Sequence, residues 1–303
     1  MMAVYRKLCT MEFCQPFFRQ SADYYNIRHL SDPFILATFE FCMKKVIDRH
    51  VENALFMKYI PDGCVTVLFV RSAARDKIEL IGSPAVAKSL IVYPDALYFG
   101  VRLKPGIILP HAGIDSREIT DSEIFLPNLS PELQNLCSRI FAADSLDKRT
   151  DIISAFIKEN GNDVFRKNDC VPEMLNAIYG SCGNIDICDF SQFFHYSERH
   201  LSRVFSDTLG YSPKTFTRIV RFQHVMHIIM KNRKNNICDF LDSTNYSDQS
   251  HFQREFKAFT TLTPKQFCNF VELQQTLRKT CKPLCIDCFN YNPVRTPAYQ
   301  GSI

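Results

Sequence analysis

Apolar residues return at helical spacing in the stretch Asn245 to Phe267, which reads NYSDQSHFQREFKAFTTLTPKQF. Phe252, Phe256 and Phe259 fall at i, i+4 and i+7 and share one face of a helix; Ser250, Gln253, Arg254 and Lys257 fall on the other. The same spacing occurs in Ser197 to Thr208, where Ser197 is a good N-cap. There Leu201, Val204, Phe205 and Thr208 form the inward stripe, and Arg199, Ser202, Arg203 and Ser206 face away. Shorter helices are predicted over Val171 to Tyr179 and Ile185 to Phe194, separated by Gly180 to Gly183. Leu209-Gly210-Tyr211-Ser212-Pro213 closes one helix and opens the next, since Gly suits a C-cap and Pro a first turn.

The N-terminal part has a different texture. Short runs rich in β-branched and aromatic residues, at Pro33 to Phe41, Cys64 to Arg71, Lys77 to Ile81 and Ala96 to Leu103, predict strands of a small sheet or barrel. Pro61-Asp62-Gly63, Gly82-Ser83-Pro84 and Pro105-Gly106 predict turns between them. From Ile114 the pattern becomes helical, with Ser130-Pro131-Glu132 opening a helix to about Ala142 and Asp144 or Ser145 capping another to Asn160. The expected fold class is therefore α+β in two domains. The N-terminal one is mainly β sheet or barrel with trailing helices, and the C-terminal one is all-α. The polar residues 161–170 are expected to be the linker between domains over 1–160 and 171–279, and 280–303 is a cysteine-rich tail.

The two helical stretches are copies at an offset of 51 residues. Ser197 matches Asp248, Leu201 Phe252, Arg203 Arg254, Phe205 Phe256, Ser212-Pro213 Thr263-Pro264 and Phe216 Phe267; one residue of slippage brings Ile187 to Phe190 against Ile237 to Phe240. Cap, core, outward Arg and following Pro recur together, the pattern of two helix-turn-helix units in tandem. Between them Pro213 to Asn232 holds 20 residues without an internal Pro or Gly. At 1.5 Å per residue this connector helix would span roughly 30 Å, against roughly 34 Å between successive major-groove faces on one side of B-DNA. Amide, hydroxyl and guanidinium groups on the outward faces can address base edges and phosphates.

At these residues the chain resembles the AraC/XylS family of bacterial transcription regulators. SERHLSRVF (Ser197 to Phe205), GYSPKTF (Gly210 to Phe216) and YSDQSHFQREFK with the following TP carry the likeness. The resemblance implies a tandem helix-turn-helix domain that binds double-stranded DNA, with Arg199, Ser202 and Arg203 reading bases from the first unit and Gln249, Ser250, Gln253 and Arg254 from the second. It implies a transcription regulator in the cytoplasm, no catalytic residue and no cofactor. RNA polymerase, a small-molecule effector and a second copy of the chain are its candidate partners. Asn245 stands where the family has Gly in the turn, and Ser191 and Leu241 stand where it has a small Ala. PDGCVTVLF (Pro61 to Phe69) and FGVRLKPG (Phe99 to Gly106), with EITD (Glu118 to Asp121), are similar to an N-terminal domain often fused to such modules for sensing or self-association. Residue by residue, Asp62 reads as part of a turn and Arg102 as part of a strand.

Composition narrows these readings. With 46% hydrophobic and 13% aromatic residues the chain can fill packed cores, and its longest apolar runs are far below the roughly 18 residues a membrane span needs. The N-terminus lacks the pattern of a signal peptide, and thirteen cysteines, an odd number, fit a reducing compartment. Residues 165–279 hold 15 Lys and Arg against 11 Asp and Glu, so the basic excess lies with the helical repeat. Cys281, Cys285 and Cys288 support an alternative, a thiol- or metal-responsive regulator, but no fourth ligand is obvious and free thiols are the expectation. His224 and His227, three apart on the connector, read as packing or surface residues. There is no Gly-rich phosphate loop, nucleophile elbow or paired-carboxylate motif, and no Cys lies in the Pro-Cys-His-Arg context of alkyl-acceptor repair proteins.

Overall fold

Strands dominate the N-terminal half of the computed structural model, which describes residues 15–17, 22, 24–43, 55–73, 76–94, 96–108, 115–126, 129–164, 166–167, 170–232, 246 and 248–280. Strands β1 (Tyr24–His29), β2 (Ile35–Cys42), β4 (Thr66–Arg71), β5 (Lys77–Ile81), β7 (Leu97–Leu103) and β9 (Glu123–Phe125) form an antiparallel sheet in the order β1-β2-β7-β4-β5-β9. Strands β3 (Leu55–Tyr59) and β6 (Lys88–Val92) pair separately. The main sheet is covered on both faces, so its central strands read as nearly continuous apolar runs rather than as a clean alternation. On one face Ile35, Phe69, Phe99 and Val101 pack against helices α2 (Pro131–Ala142) and α3 (Leu146–Val164) through Leu136, Ile140, Ile153 and Ile157. On the other, Phe39, Phe41, Leu68 and Tyr98 meet Met57, Leu90 and Val92 of the smaller sheet. Phe41 and Tyr98 stack at 4.6 Å, and at Gly100 a Cβ would lie 2.2 Å from the Phe39 ring. Glu40 of β2 is buried and takes Arg149 of α3 at 2.7 Å, an ion pair that ties helix to sheet.

Three expectations need correction. The helix expected to end at Asn160 does not stop there: α3 continues to Val164, and β10 (Arg166–Lys167) pairs with β8 (Ile107–Ile108). Polar composition alone does not end a helix, and no Pro follows until Pro172. The chain beyond Ile114 is not wholly helical either. After the short α1 (Ser116–Ile119), capped by Asp115, it returns to the sheet as β9. Pairing of that kind is non-local and leaves little trace in three residues. Finally, Asp62 and Arg102 are more than turn and strand, because they form a fully buried ion pair.

From Val171 on the described residues are mainly helical: α4 (Val171–Gly180), α5 (Ile187–Phe194), α6 (Glu198–Leu209), α7 (Pro213–Asn232), α8 (Gln249–Thr260) and α9 (Pro264–Thr280). Their buried residues form one core that also takes in Phe17 and Ile60 from the N-terminal part. Contacts run from the strand-bearing part to both halves of the helical part. Tyr211 donates its hydroxyl to the Ser83 carbonyl, Thr120 donates to the Leu209 carbonyl at 3.3 Å, and Arg117 pairs with Asp207. Further on, the Ala87 amide donates to the Ala258 carbonyl at 3.3 Å, Lys58 reaches the Thr260 carbonyl at 3.1 Å, and Phe17 packs edge-on against Phe267 at 5.8 Å. The cysteine-rich tail and the stretch holding Ile237 to Phe240, Leu241 and Asn245 lie outside the described residues.

Candidate nucleic-acid interface

Local sequence builds the first unit. Ser197 accepts the His200 amide at 3.3 Å to start α6, and Gly210, left-handed at φ 78, ends it. The turn from α5 into α6 is left-handed at His195, φ 56, a conformation that the sequence does not advertise because no Gly stands there. Leu201, Phe205, Thr208 and Leu209 are buried beneath the helix, while Val204 is only partly covered. Arg199 and Arg203 are exposed and Ser202 is half-buried beside them. Tyr196, 51% exposed, lies against His200 at 4.8 Å just before this face. The acidic residue at the far end, Asp207, is tied to Arg117 of the N-terminal part.

The second unit repeats the construction with different residues. Asp248 accepts the His251 amide at 2.7 Å to cap α8, and Thr261 at φ 65 holds the left-handed place of Gly210. Thr263 and Gln266 then cap α9 reciprocally, with the Thr263 amide donating to Gln266 at 2.9 Å and the Gln266 amide to Thr263 at 3.3 Å. Phe252, Phe256 and Phe259 are buried, and Gln249, Ser250, Gln253 and Arg254 are all exposed on the opposite face. Arg254 also donates to the Ser250 carbonyl at 3.3 Å and lies along its own helix.

The connector α7 holds the two units. Ser212 caps it by accepting the Thr215 amide at 3.1 Å, and Phe216, Ile219, Val220, Phe222, Val225 and Met226 are buried along it. Sequence reasoning missed its polar residues. Gln223 is fully buried and donates to the Pro61 carbonyl at 2.6 Å, and Arg218 reaches Glu255, a buried carboxylate on the inner side of α8. Only the charge of Glu255 amid phenylalanines could have signalled this. His224 is half-buried, and burial and then the neighbouring His227 lower its pKa. Among the described cysteines, burial pushes the Cys137 thiol up to about 11 and Cys64 higher still, away from reactive thiolates. No group of three or more His, Cys, Asp and Glu among the described residues is placed to hold a metal ion. No described helix is long and apolar enough to cross a membrane.

Residues 190–269 match the family model of a helix-turn-helix domain. Over 84 residues the chain is 30% identical to the uncharacterized HTH-type transcriptional regulators SAS0078 and SAR0107 of Staphylococcus aureus strains MSSA476 and MRSA252. That stretch is 28% of this chain and 11% of each relative, so the chain spans about a ninth of their length. Among solved structures, ToxT from Vibrio cholerae O395 superposes with a TM-score of 0.37 at 12% identity, covering 82% of this chain and 97% of that one. ToxT of strain SCE256 with bound unsaturated fatty acid gives 0.38 at the same identity, covering 82% and 95%. Within the C-terminal helices, the stretch that carries both α6 and α8 is thus similar to a helix-turn-helix domain.

Proposed function

We propose that the chain is a sequence-specific DNA-binding transcription regulator, working in the bacterial cytoplasm, whose two recognition helices read adjacent major-groove segments. The carrying observation is that α6 and α8 expose equivalent polar faces, Arg199, Ser202 and Arg203 on one and Gln249, Ser250, Gln253 and Arg254 on the other, while their buried faces pack on the same connector. Arginine suits bidentate contact with guanine and glutamine with adenine. Titration of labelled duplex DNA at increasing salt tests the reading. Log affinity should fall linearly with log salt as counterions are released. Affinity independent of salt would contradict it.

The N-terminal half, in this proposal, senses a small molecule or pairs two copies of the chain, and RNA polymerase is a further partner. Its contacts to both units support a sensing role. A cavity lined by Tyr59, Ile81, Pro84, Lys88, Asp121 and Glu123 lies beside the Gly82 to Ala87 loop that touches both units. Ile91 and Phe125, 46% and 42% exposed, are apolar surface that a second copy would cover.

A further inference from the structure

We infer that Glu255, Arg218 and Arg221 set the separation and angle at which the two recognition helices are offered, and so determine the spacing of the DNA site without touching DNA. This rests on the DNA-binding reading above. A carboxylate on the inner face of a recognition helix is costly to bury without a partner, and an apolar side chain would fill the place with no charge to satisfy. Glu255 is nevertheless there, its side chain 2% exposed, and it takes Arg218 Nε of the connector at 2.5 Å. The same guanidinium lies over the Phe259 ring at 5.6 Å.

One turn along the connector, Arg221 reaches in the other direction. Its Nη2 donates to the Gly183 carbonyl at 2.9 Å, in the turn between α4 and α5 of the first unit. Its guanidinium also lies 5.5 Å from the ring of Tyr246, which leads into α8 and packs on Phe252 at 5.2 Å. Gly183 is pressed so closely to the connector that a Cβ would lie 2.4 Å from the Thr217 carbonyl oxygen and 2.7 Å from the Arg221 amide. A single turn of α7 therefore grips the first unit on one side and the second recognition helix on the other.

The apolar contacts beside this network, Phe222 with Phe256 at 5.7 Å and with Phe259 at 4.9 Å, bring the helices together. Hydrophobic attraction is non-directional, however, and leaves rotation and sliding poorly defined. A planar guanidinium bound to a carboxylate or a carbonyl has a narrow geometry, which makes the two arginines the orienting element. Successive half-sites on DNA are related by rotation as well as by distance, so loosening that element should appear as tolerance of wrong spacings.

The test uses the full chain and a duplex selected from a random pool, with one base pair inserted or removed between its two elements. The unsubstituted protein should lose about tenfold in affinity at each wrong spacing, the equivalent of one mismatched contact. Glu255→Gln and Arg218→Met should lose less than about threefold, with Arg218→Lys between, because the ammonium keeps the charge without the fork. Arg218→Met leaves the buried Glu255 carboxylate without its counter-charge and Glu255→Gln removes that charge, so if a thermal melt shows Arg218→Met unfolded, Glu255→Gln takes its place in the spacing series. A spacing series with the unsubstituted slope in Arg218→Met, at whatever overall affinity, overturns the inference alone. Failure of the unsubstituted chain to bind any duplex overturns the DNA-binding reading and this inference with it.

Discussion

Gln223, at the middle of the connector helix and fully buried, donates its side-chain amide to the carbonyl of Pro61 in the turn before β4, at 2.6 Å. That bond places the N-terminal half against the helix on which α6 and α8 pack. Next to it, Gly63 lies under the ring of Phe216, and Ser83 Oγ accepts the Asp62 and Gly63 amides at 3.2 and 2.7 Å. The Pro-Asp-Gly turn is thus one joint between the two halves.

Replacing Gly63 by Ala should weaken that joint. A Cβ would lie 2.3 Å from Phe216 Cε2, and φ is 76, where L residues are strained. Strain and overpacking together should cost about 2–4 kcal/mol, read as a lower urea midpoint. An unchanged midpoint would contradict the packing.

Asp62→Asn should be more damaging than its size suggests. It leaves Arg102, 4% exposed, without its counter-charge, and breaking one side of a buried pair costs roughly 3–5 kcal/mol. Adding Arg102→Met to Asp62→Asn should recover part of the loss. A double variant less stable than the single one by urea titration would show that the pair is not coupled.

His224 should make stability depend on pH. Burial, and after it His227, lowers its pKa below the usual 6.5, so the folded state resists protonation. Its contribution is present above the unfolded value and is lost as pH falls through the folded one. Urea midpoints measured from about pH 8 down to about pH 5 should fall, and His224→Gln should flatten that fall. Equal slopes would contradict the assignment.

Arg203→Ala and Arg254→Ala should each cost about 1–3 kcal/mol on a specific site and relax base preference at one position. Fluorescence anisotropy on matched and single-mismatch duplexes measures both effects. Uniform weakening across all sequences would make these arginines phosphate contacts instead.

What the sequence disclosed and what it hid follow one physical division. The caps at Ser130, Ser197 and Asp248, the Gly210 stop and the buried stripes of α6 and α8 depend on residues within a turn or two, and all could be read directly. The pairing of β3 with β6, the return of β9 to the sheet and the docking of Pro61 on Gln223 join residues far apart in the chain. Nothing local marks them. His195 shows a third case, a left-handed turn at a residue other than glycine, which nothing in the sequence marks.

Selection of bound duplexes from a random pool by the purified chain measures whether α6 and α8, joined by a connector of roughly 30 Å, act as paired recognition helices. Recovered sites should hold two short elements about one helical turn apart, the first lost in Arg203→Ala and the second in Arg254→Ala. Recovered sites with one element, or with two at unrelated spacings, would contradict that pairing.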